Sequence, residues 1–263
     1  MKVPVLDLEG KKVSELQLPE AFSYGVNRRL IRKAFWLLFS HSLQRKGTDP
    51  YAGERTSALS WNTGRGVARA ARVKGERSQR SGQAAGVGGV VKGRLATPPK
   101  SEKVVRLSIN RKERRAALRS ALCASASAEL ATARGHVFPE GLSLPLVAQD
   151  SVQSLKKASE LRAFLDAAGL MDDVRRSAAR KQRTGKAKWR GRSKRVGAGP
   201  LFVFAEDDGI TMASGGIPGV DAVKVDSLSV LDLAPGGEPG RLCIFSESAV
   251  KSLAEGEMVK VEA

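Results

Sequence analysis

The 263 residues predict an α/β protein: a three-layer domain with a mostly parallel sheet flanked by helices, interrupted by one long basic loop. Three observations carry this. Short apolar runs of strand length alternate with stretches of helical period, the pattern of βαβ units. The segment from Arg45 to Lys103 has no sustained period of either kind and is rich in Gly. Two basic tracts account for the whole positive excess of the chain.

Val3–Leu6 and Val13–Leu18 flank the turn Asp7-Leu8-Glu9-Gly10 and predict a hairpin. From Asn27, a plausible N-cap, Leu30, Ile31, Ala34, Phe35 and Leu38 share one helical face. Trp36, Leu37 and Phe39 widen it and predict a well-buried helix ending near Ser42–Arg45. Pro98-Pro99 marks the return from the loop. Asn110 with Glu113 three residues on approximates a capping box. It opens a helix with apolar Ala117, Leu118, Ala121 and Leu122 and polar Arg111, Lys112, Arg114, Arg115 and Arg119. A helix enters the loop and a helix leaves it, so the loop is an insertion.

Leu142–Ala148 follows as a strand. Leu155, Ala158, Leu161, Leu165 and Ala168 predict a helix over 154–168, with Gly169 as its stop. Leu201-Phe202-Val203-Phe204 is apolar throughout, as a strand covered on both faces would be. Ala222–Val225 and Leu242–Phe245 resemble it. Ala249, Val250 and Leu253 give a last helix, with Gly256 after it. The expected domains are 1–44 with 104–263 as the globular part, and 45–103 as the extended loop.

Apolar residues make up 41% of the chain, enough for a core, and aromatics only 5%. The net charge is +18; residues 45–103 carry +9, residues 175–195 carry +11, and the remainder −2. Two basic tracts on a near-neutral domain are the footprint of a nucleic-acid binder, and less often of a membrane-surface binder. Arg dominates the first tract and offers a planar fork for phosphate. Gly lets the backbone approach a ligand. Trp61 and Trp189 are placed to stack on unpaired bases.

The candidate contacts in the loop are Arg45, Lys46, Arg55, Arg65, Arg69, Arg72, Lys74, Arg77, Arg80, Lys92, Arg94 and Lys100. In the second tract they are Arg180, Lys181, Arg183, Lys186, Lys188, Arg190, Arg192, Lys194 and Arg195. Gly185, Gly191, Gly197 and Gly199 argue against a continuous helix there.

Enzyme chemistry finds little purchase. GxxxxGK[ST] is absent, and Gly86-Val87-Gly88 lacks the third glycine of GxGxxG and its strand–helix setting. There is no GxSxG elbow. His41 and His136 are best taken as packing or helix-end residues. Cys123 and Cys243 lie far apart without partnered histidines, so neither a zinc site nor a disulfide framework is expected. The first residues lack the apolar core of a signal peptide, and no run approaches a membrane span. A soluble, intracellular protein is expected.

Ser60-Trp61-Asn62-Thr63-Gly64-Arg65-Gly66-Val67-Ala68-Arg69, then Arg80 to Ala85, then Lys92-Gly93-Arg94 with Ala96 to Lys100 together resemble the tunnel loop of the fourth large-subunit ribosomal protein family, in its archaeal and eukaryotic branch. Asp49 to Gly53, Asn110 to Ala121, Asp232 to Gly237 and Pro239 to Leu242 extend the likeness over essentially the whole chain. Gly66 stands where many relatives carry Ala. The presumed tip, Ala84 to Gly93, is built of small residues where eukaryotic relatives have larger ones. No counterpart of the lysine-rich C-terminal extension of eukaryotic members is expected.

The resemblance implies a non-enzymatic component of the cytoplasmic large subunit. It implies large-subunit rRNA and neighbouring ribosomal proteins as partners, and no membrane. The loop would line the polypeptide exit tunnel, with Gly86, Val87, Gly88 and Gly89 at its tip, near the nascent chain. No cofactor is implied, and magnesium would enter only with the RNA. An RNA-binding assembly factor or an enzyme acting on RNA is the competing expectation.

Overall fold

The structure is a computed structural model that describes residues 2–139, 141–179 and 181–255. Arg180 and Gly256 fall outside the described residues. The chain divides into two units, residues 1–40 with 108–263, and residues 41–107.

The first unit is built on a six-stranded sheet. β1 (Lys2–Leu6) and β2 (Lys12–Gln17) form the expected hairpin. β3 (Leu146–Ala148), β4 (Leu201–Phe204), β5 (Asp221–Lys224) and β6 (Cys243–Ser246) complete it in the order β2-β1-β3-β6-β4-β5. Every neighbour pair except β1/β2 is parallel.

Strand alternation divides the buried side chains between the two faces. Val147, Leu201, Val203, Cys243 and Phe245 enter one core with Ile31 and Ala34 of α1 (Arg28–Phe39) and Ala117 and Ala121 of α2 (Arg111–Ser125). Leu146, Ala148, Phe202, Phe204 and Ile244 enter the other. That second core is closed by α4 (Ala158–Ala167), α5 (Met171–Ala178) and α6 (Ile210–Gly215). α3 (Ala128–Arg134) follows α2, and α7 (Glu247–Glu255) packs on the first face through Ala249, Val250 and Leu253. This is a three-layer α/β sandwich. Neither core contains a residue of 41–107.

Several expectations need correction. α1 is capped by Asn27, whose side chain accepts from the Leu30 N–H at 3.1 Å, but only Ile31, Ala34 and Phe35 are buried. Trp36 and Phe39 are exposed, because the sheet-side face of the helix is already filled by the 31, 34 and 35 side chains. Asn110 precedes α2 without a side-chain cap; Glu113 instead meets Lys33 at 2.8 Å. Arg119, placed on the polar face, is buried, with its guanidinium over the Tyr24 ring.

β3 begins only at Leu146, since Pro145 has no N–H to offer a ladder. α4 starts at Ala158, and the residues before it, Asp150–Ser154, form a 3₁₀ turn. α3, α5 and α6 were not foreseen.

The motif after β5 has a structural task. Arg241 is buried and donates to the carbonyls of Gly199 and Asp232, both at 2.9 Å, and to the Asp221 carboxylate. It ties the start of β5 to the residue before the entry to β4 and to the helical turn Val230–Leu233. Gly240 has φ +92°, and a Cβ there would lie 2.6 Å from the Leu130 carbonyl oxygen. Only glycine fits that approach of the 240 backbone to α3.

Candidate nucleic-acid interface

Residues 41–107 fold back on themselves as two chains running side by side. His41 Nε2 lies 2.7 Å from the Leu107 carbonyl oxygen, and the Thr48 N–H donates to the Pro99 carbonyl at 3.1 Å. Further along, the backbones of Gly53 and Gly93 meet. A Cβ on Gly53 would sit 2.5 Å from the Gly93 carbonyl carbon, and one on Gly93 would strike the Val87 carbonyl oxygen. The two stretches cross here because Gly53 has no side chain, and Gly93 fits the tight local turn from Val87 for the same reason.

Beyond it lies a small head. Leu59–Ser60 pairs antiparallel with Ala71–Arg72, and Arg72 bridges to Ala84. The Val73 N–H donates to Gln83 O and the Ala85 N–H to Ala71 O, both at 2.9 Å. Trp61 is half-buried beside this ladder, with the Arg65 and Arg72 guanidinium carbons 5.4 and 5.7 Å from its ring centroid. Arg72 also donates to the Gly82 carbonyl at 2.8 Å. Trp61 therefore organises the head through cation–π contacts. The sequence suggests base stacking for Trp61 and carries no signal of this packing.

The cations of the unit differ in availability. Arg55 is paired with Asp49 at 2.6 Å, and Arg94 with Glu54 at 3.5 Å. Among the described residues, Arg45, Lys46, Arg65, Arg69, Lys74, Arg77, Arg80, Lys92 and Lys100 are exposed and have no carboxylate within ion-pair distance. At the expected tip, Gly86, Val87 and Gly88 are half-buried and Gly89 is exposed. The most exposed apolar side chain of this unit is Val91, at 86%, which sequence reasoning did not single out.

The second tract, in the first unit, forms a hairpin between α5 and β4. Lys181–Gln182 pairs antiparallel with Lys194–Arg195, and one helical turn, Lys186–Trp189, spans its end. Lys181 stands opposite Arg195, and Gln182 opposite Lys194. Like charges directly across a ladder destabilise it. Lys186, Lys188, Arg190 and Arg192 are exposed around the turn, Arg183 is half-buried, and Trp189 is 85% exposed.

A buried ionic cluster anchors the base of this hairpin. Asp173, fully buried, accepts from Arg176 Nε at 2.8 Å and from the Val137 N–H at 3.0 Å, with His136 Nδ1 at 2.9 Å. The Leu242 N–H donates to His136 Nε2 at 3.4 Å, so Nδ1 is the ring nitrogen that faces the carboxylate as donor. Burial pushes the Asp173 carboxyl up, but the hydrogen bonds from His136 and Arg176 outweigh it and hold it below the usual carboxylate range.

Arg176 Nη2 reaches the Ala198 carbonyl at 2.8 Å, and the Gly197 N–H donates to Ser177 O at 3.2 Å. Entry and exit of the tract are thus clamped together. His136 is a packing residue, as expected. The Cys243 thiol, pushed up to about 12 by burial, is likewise a protonated core group.

Fold and surfaces define a class: an α/β domain carrying a cationic hairpin, joined in sequence to a glycine-rich cationic unit. The family model for the ribosomal protein L4/L1 family matches residues 16–256. The large ribosomal subunit protein uL4 of Saccharolobus islandicus is 44% identical over 253 residues, covering 95% of this chain and 93% of that protein. Its counterpart in Methanopyrus kandleri is 45% identical, covering 97% and 98%. That of Sulfolobus acidocaldarius is 42% identical, covering 97% and 94%.

The chain belongs to the ribosomal protein L4/L1 family. It is a structural protein of the large ribosomal subunit, cytoplasmic and ribosome-associated, and not an enzyme. No helix among the described residues is long and apolar enough to cross a membrane.

Proposed function

We propose that this protein binds large-subunit rRNA through two independent cationic elements, the unit 41–107 and the hairpin 181–195. On this reading the first element threads folded rRNA toward the peptide exit tunnel, with the residues around Gly86–Gly89 and Val91 nearest the nascent chain. Neighbouring ribosomal proteins pack against the assembled particle.

The observation that carries the reading is the hairpin's charge. Eight Lys/Arg and no Asp/Glu lie in 181–195, and Lys181 faces Arg195 across the ladder. No acid within the hairpin neutralises them, and a polyanion would supply the counter-charge. Phosphate is the match: Arg and Lys displace the counterions condensed on RNA, and binding weakens as salt rises.

The test is a salt titration of binding to a large-subunit rRNA transcript. Replacing Lys186, Lys188, Arg190 and Arg192 by Gln should flatten the log–log slope by roughly 3, at ~0.7–0.9 per lost phosphate contact. An unchanged slope would remove the hairpin from the interface.

A further inference from the structure

We propose that the outward face of α1 and the first half of α2 form a third RNA-docking surface, in which Trp36 stacks on an unpaired base and the flanking cations hold phosphates. The proposal rests on the RNA-binding reading above and assigns a site that neither basic tract contains.

The sequence of α1 has two stripes. Ile31, Ala34 and Phe35 face the core. Arg29, Arg32, Lys33 and Trp36 recur at i, i+3, i+4 and i+7, which is a single face of a helix, and all four are exposed. Trp36 keeps 57% of its surface open yet is not loose. Phe35 meets it edge-on at 5.5 Å and Phe39 at 5.9 Å. The ring is fixed in position with no partner on its outer side among the described residues. An indole held this way next to Arg and Lys is the arrangement that grips an unstacked base and its phosphates.

α2 lies alongside. The Asn27 N–H donates to Ser120 Oγ at 2.6 Å, and Lys33 Nζ meets Glu113 at 2.8 Å. The two helices therefore run antiparallel, and the start of α2 flanks the middle of α1. There α2 exposes Arg111, Lys112 and Arg114. Beside them is a groove of about 310 Å³ with Arg111 and Arg114 on its rim and Leu118, Leu228 and Val230 along it. Across this face six cations stand against two carboxylates, Glu113 and Glu238, which pair with Lys33 and Arg32. That leaves Arg29, Arg111, Lys112 and Arg114 without an acid partner among the described residues. The charge complements RNA; an acidic protein surface would answer the cations but not the fixed open indole.

The experiment uses the full chain and a transcript of the large-subunit rRNA. Trp36→Ala should weaken binding by about 5- to 150-fold, the range for loss of one base–aromatic stack, while Trp36→Phe should retain most of it. Arg111→Gln, Lys112→Gln and Arg114→Gln together should flatten the salt slope by roughly 2. A benzophenone amino acid at position 36 in assembled subunits should crosslink to rRNA. This arm holds even where a substitution disturbs folding.

Crosslinks to a protein, or unchanged binding in both variants while the four-Gln hairpin variant loses slope, would overturn the third surface alone. If the hairpin variant also binds normally, the RNA-binding reading falls with it.

Discussion

Asp173→Asn is the sharpest test of how the fold holds its cationic hairpin in place. The side chain has no exposed surface and serves three donors: Arg176, the Val137 N–H and His136. Asn preserves the shape and removes the charge. Arg176, about two-thirds buried, then keeps a guanidinium with no counter-charge, and His136 Nδ1 loses an ionic acceptor.

Removing one partner of a buried pair costs ~3–5 kcal/mol, a large share of the ~5–15 kcal/mol by which domains are stable. At about 2–4 °C per kcal/mol for a chain of this size, the melting temperature should fall by roughly 6–20 °C. The pH dependence has a definite sign. The Asp173 carboxyl titrates below its unfolded value, so its stabilisation is complete above about pH 4 and is lost as pH falls through the folded value.

Urea unfolding of the wild type should lose stability on acidification below about pH 4, and the Asn variant should lose less over the same interval. A loss under ~1 kcal/mol at neutral pH, with acid limbs that run parallel, would refute the argument. It would mean that the cluster is open to water in solution. Since Arg176 also clamps Ala198, rRNA binding by the variant should weaken through a loosened hairpin base.

Deletion of residues 55–95 should leave a cooperative thermal transition, because both cores are assembled without residues 41–107; a non-cooperative melt would contradict that separation. Gly240→Ala should destabilise by more than the ~1–2 kcal/mol of left-handed backbone alone, since its Cβ meets the Leu130 backbone. Gly236→Ala, at φ +83° with open space around it, should cost only that amount. Equal melting temperatures for the two would show that α3 yields. Arg241→Leu should lower stability by ~1–3 kcal/mol, since the Gly199 carbonyl is left buried without a donor while the exposed Asp221 carboxylate is taken up by water, as measured by denaturant midpoint.

The elements legible in the sequence were those whose pattern is imposed by burial on the sheet. Leu201–Phe204 is apolar at every position because helices cover both its faces, and it is found as a strand with those bounds. The hairpin Lys2–Gln17 showed through its turn. The short helices did not show, for a physical reason. α5 is MDDVRRSA, and its inward positions are Asp173, Val174 and Ser177, so its buried face is polar and satisfied by an ionic cluster rather than by apolar period. Trp36 was assigned inward because hydrophobicity alone cannot say which side of a helix is already occupied.

Of the site, the sequence showed which tracts are cationic. It could not show that Asp49 and Glu54 engage Arg55 and Arg94, nor that two arginines hold Trp61. Glu54 and Arg94 are brought together by the folding back of 41–107, the others by a local turn and by the pairing of 59–60 with 71–72.

Charge totals also conceal where charge lies. Outside the two tracts the chain sums to −2, and a domain of that balance looks electrostatically plain. The sum combines a cationic α1–α2 surface with acids carried elsewhere, such as Asp150, Glu206 and Asp208, which line one groove beyond β3 and β4. A field of that kind acts on orientation. At a Debye length of ~8 Å in physiological salt, separated patches of opposite sign are felt individually by a partner at contact. An RNA surface would draw in the α1–α2 face and the hairpin and repel the acidic edge. The two appendages and the helix pair would then set not only how tightly the protein binds but which way round the α/β domain sits on its RNA. Reversing the acidic edge by Asp150→Lys, Glu206→Lys and Asp208→Lys should raise affinity for an rRNA transcript while lowering discrimination between the correct and competing RNA sites. Affinity gained with discrimination unchanged would show that orientation is fixed by shape alone.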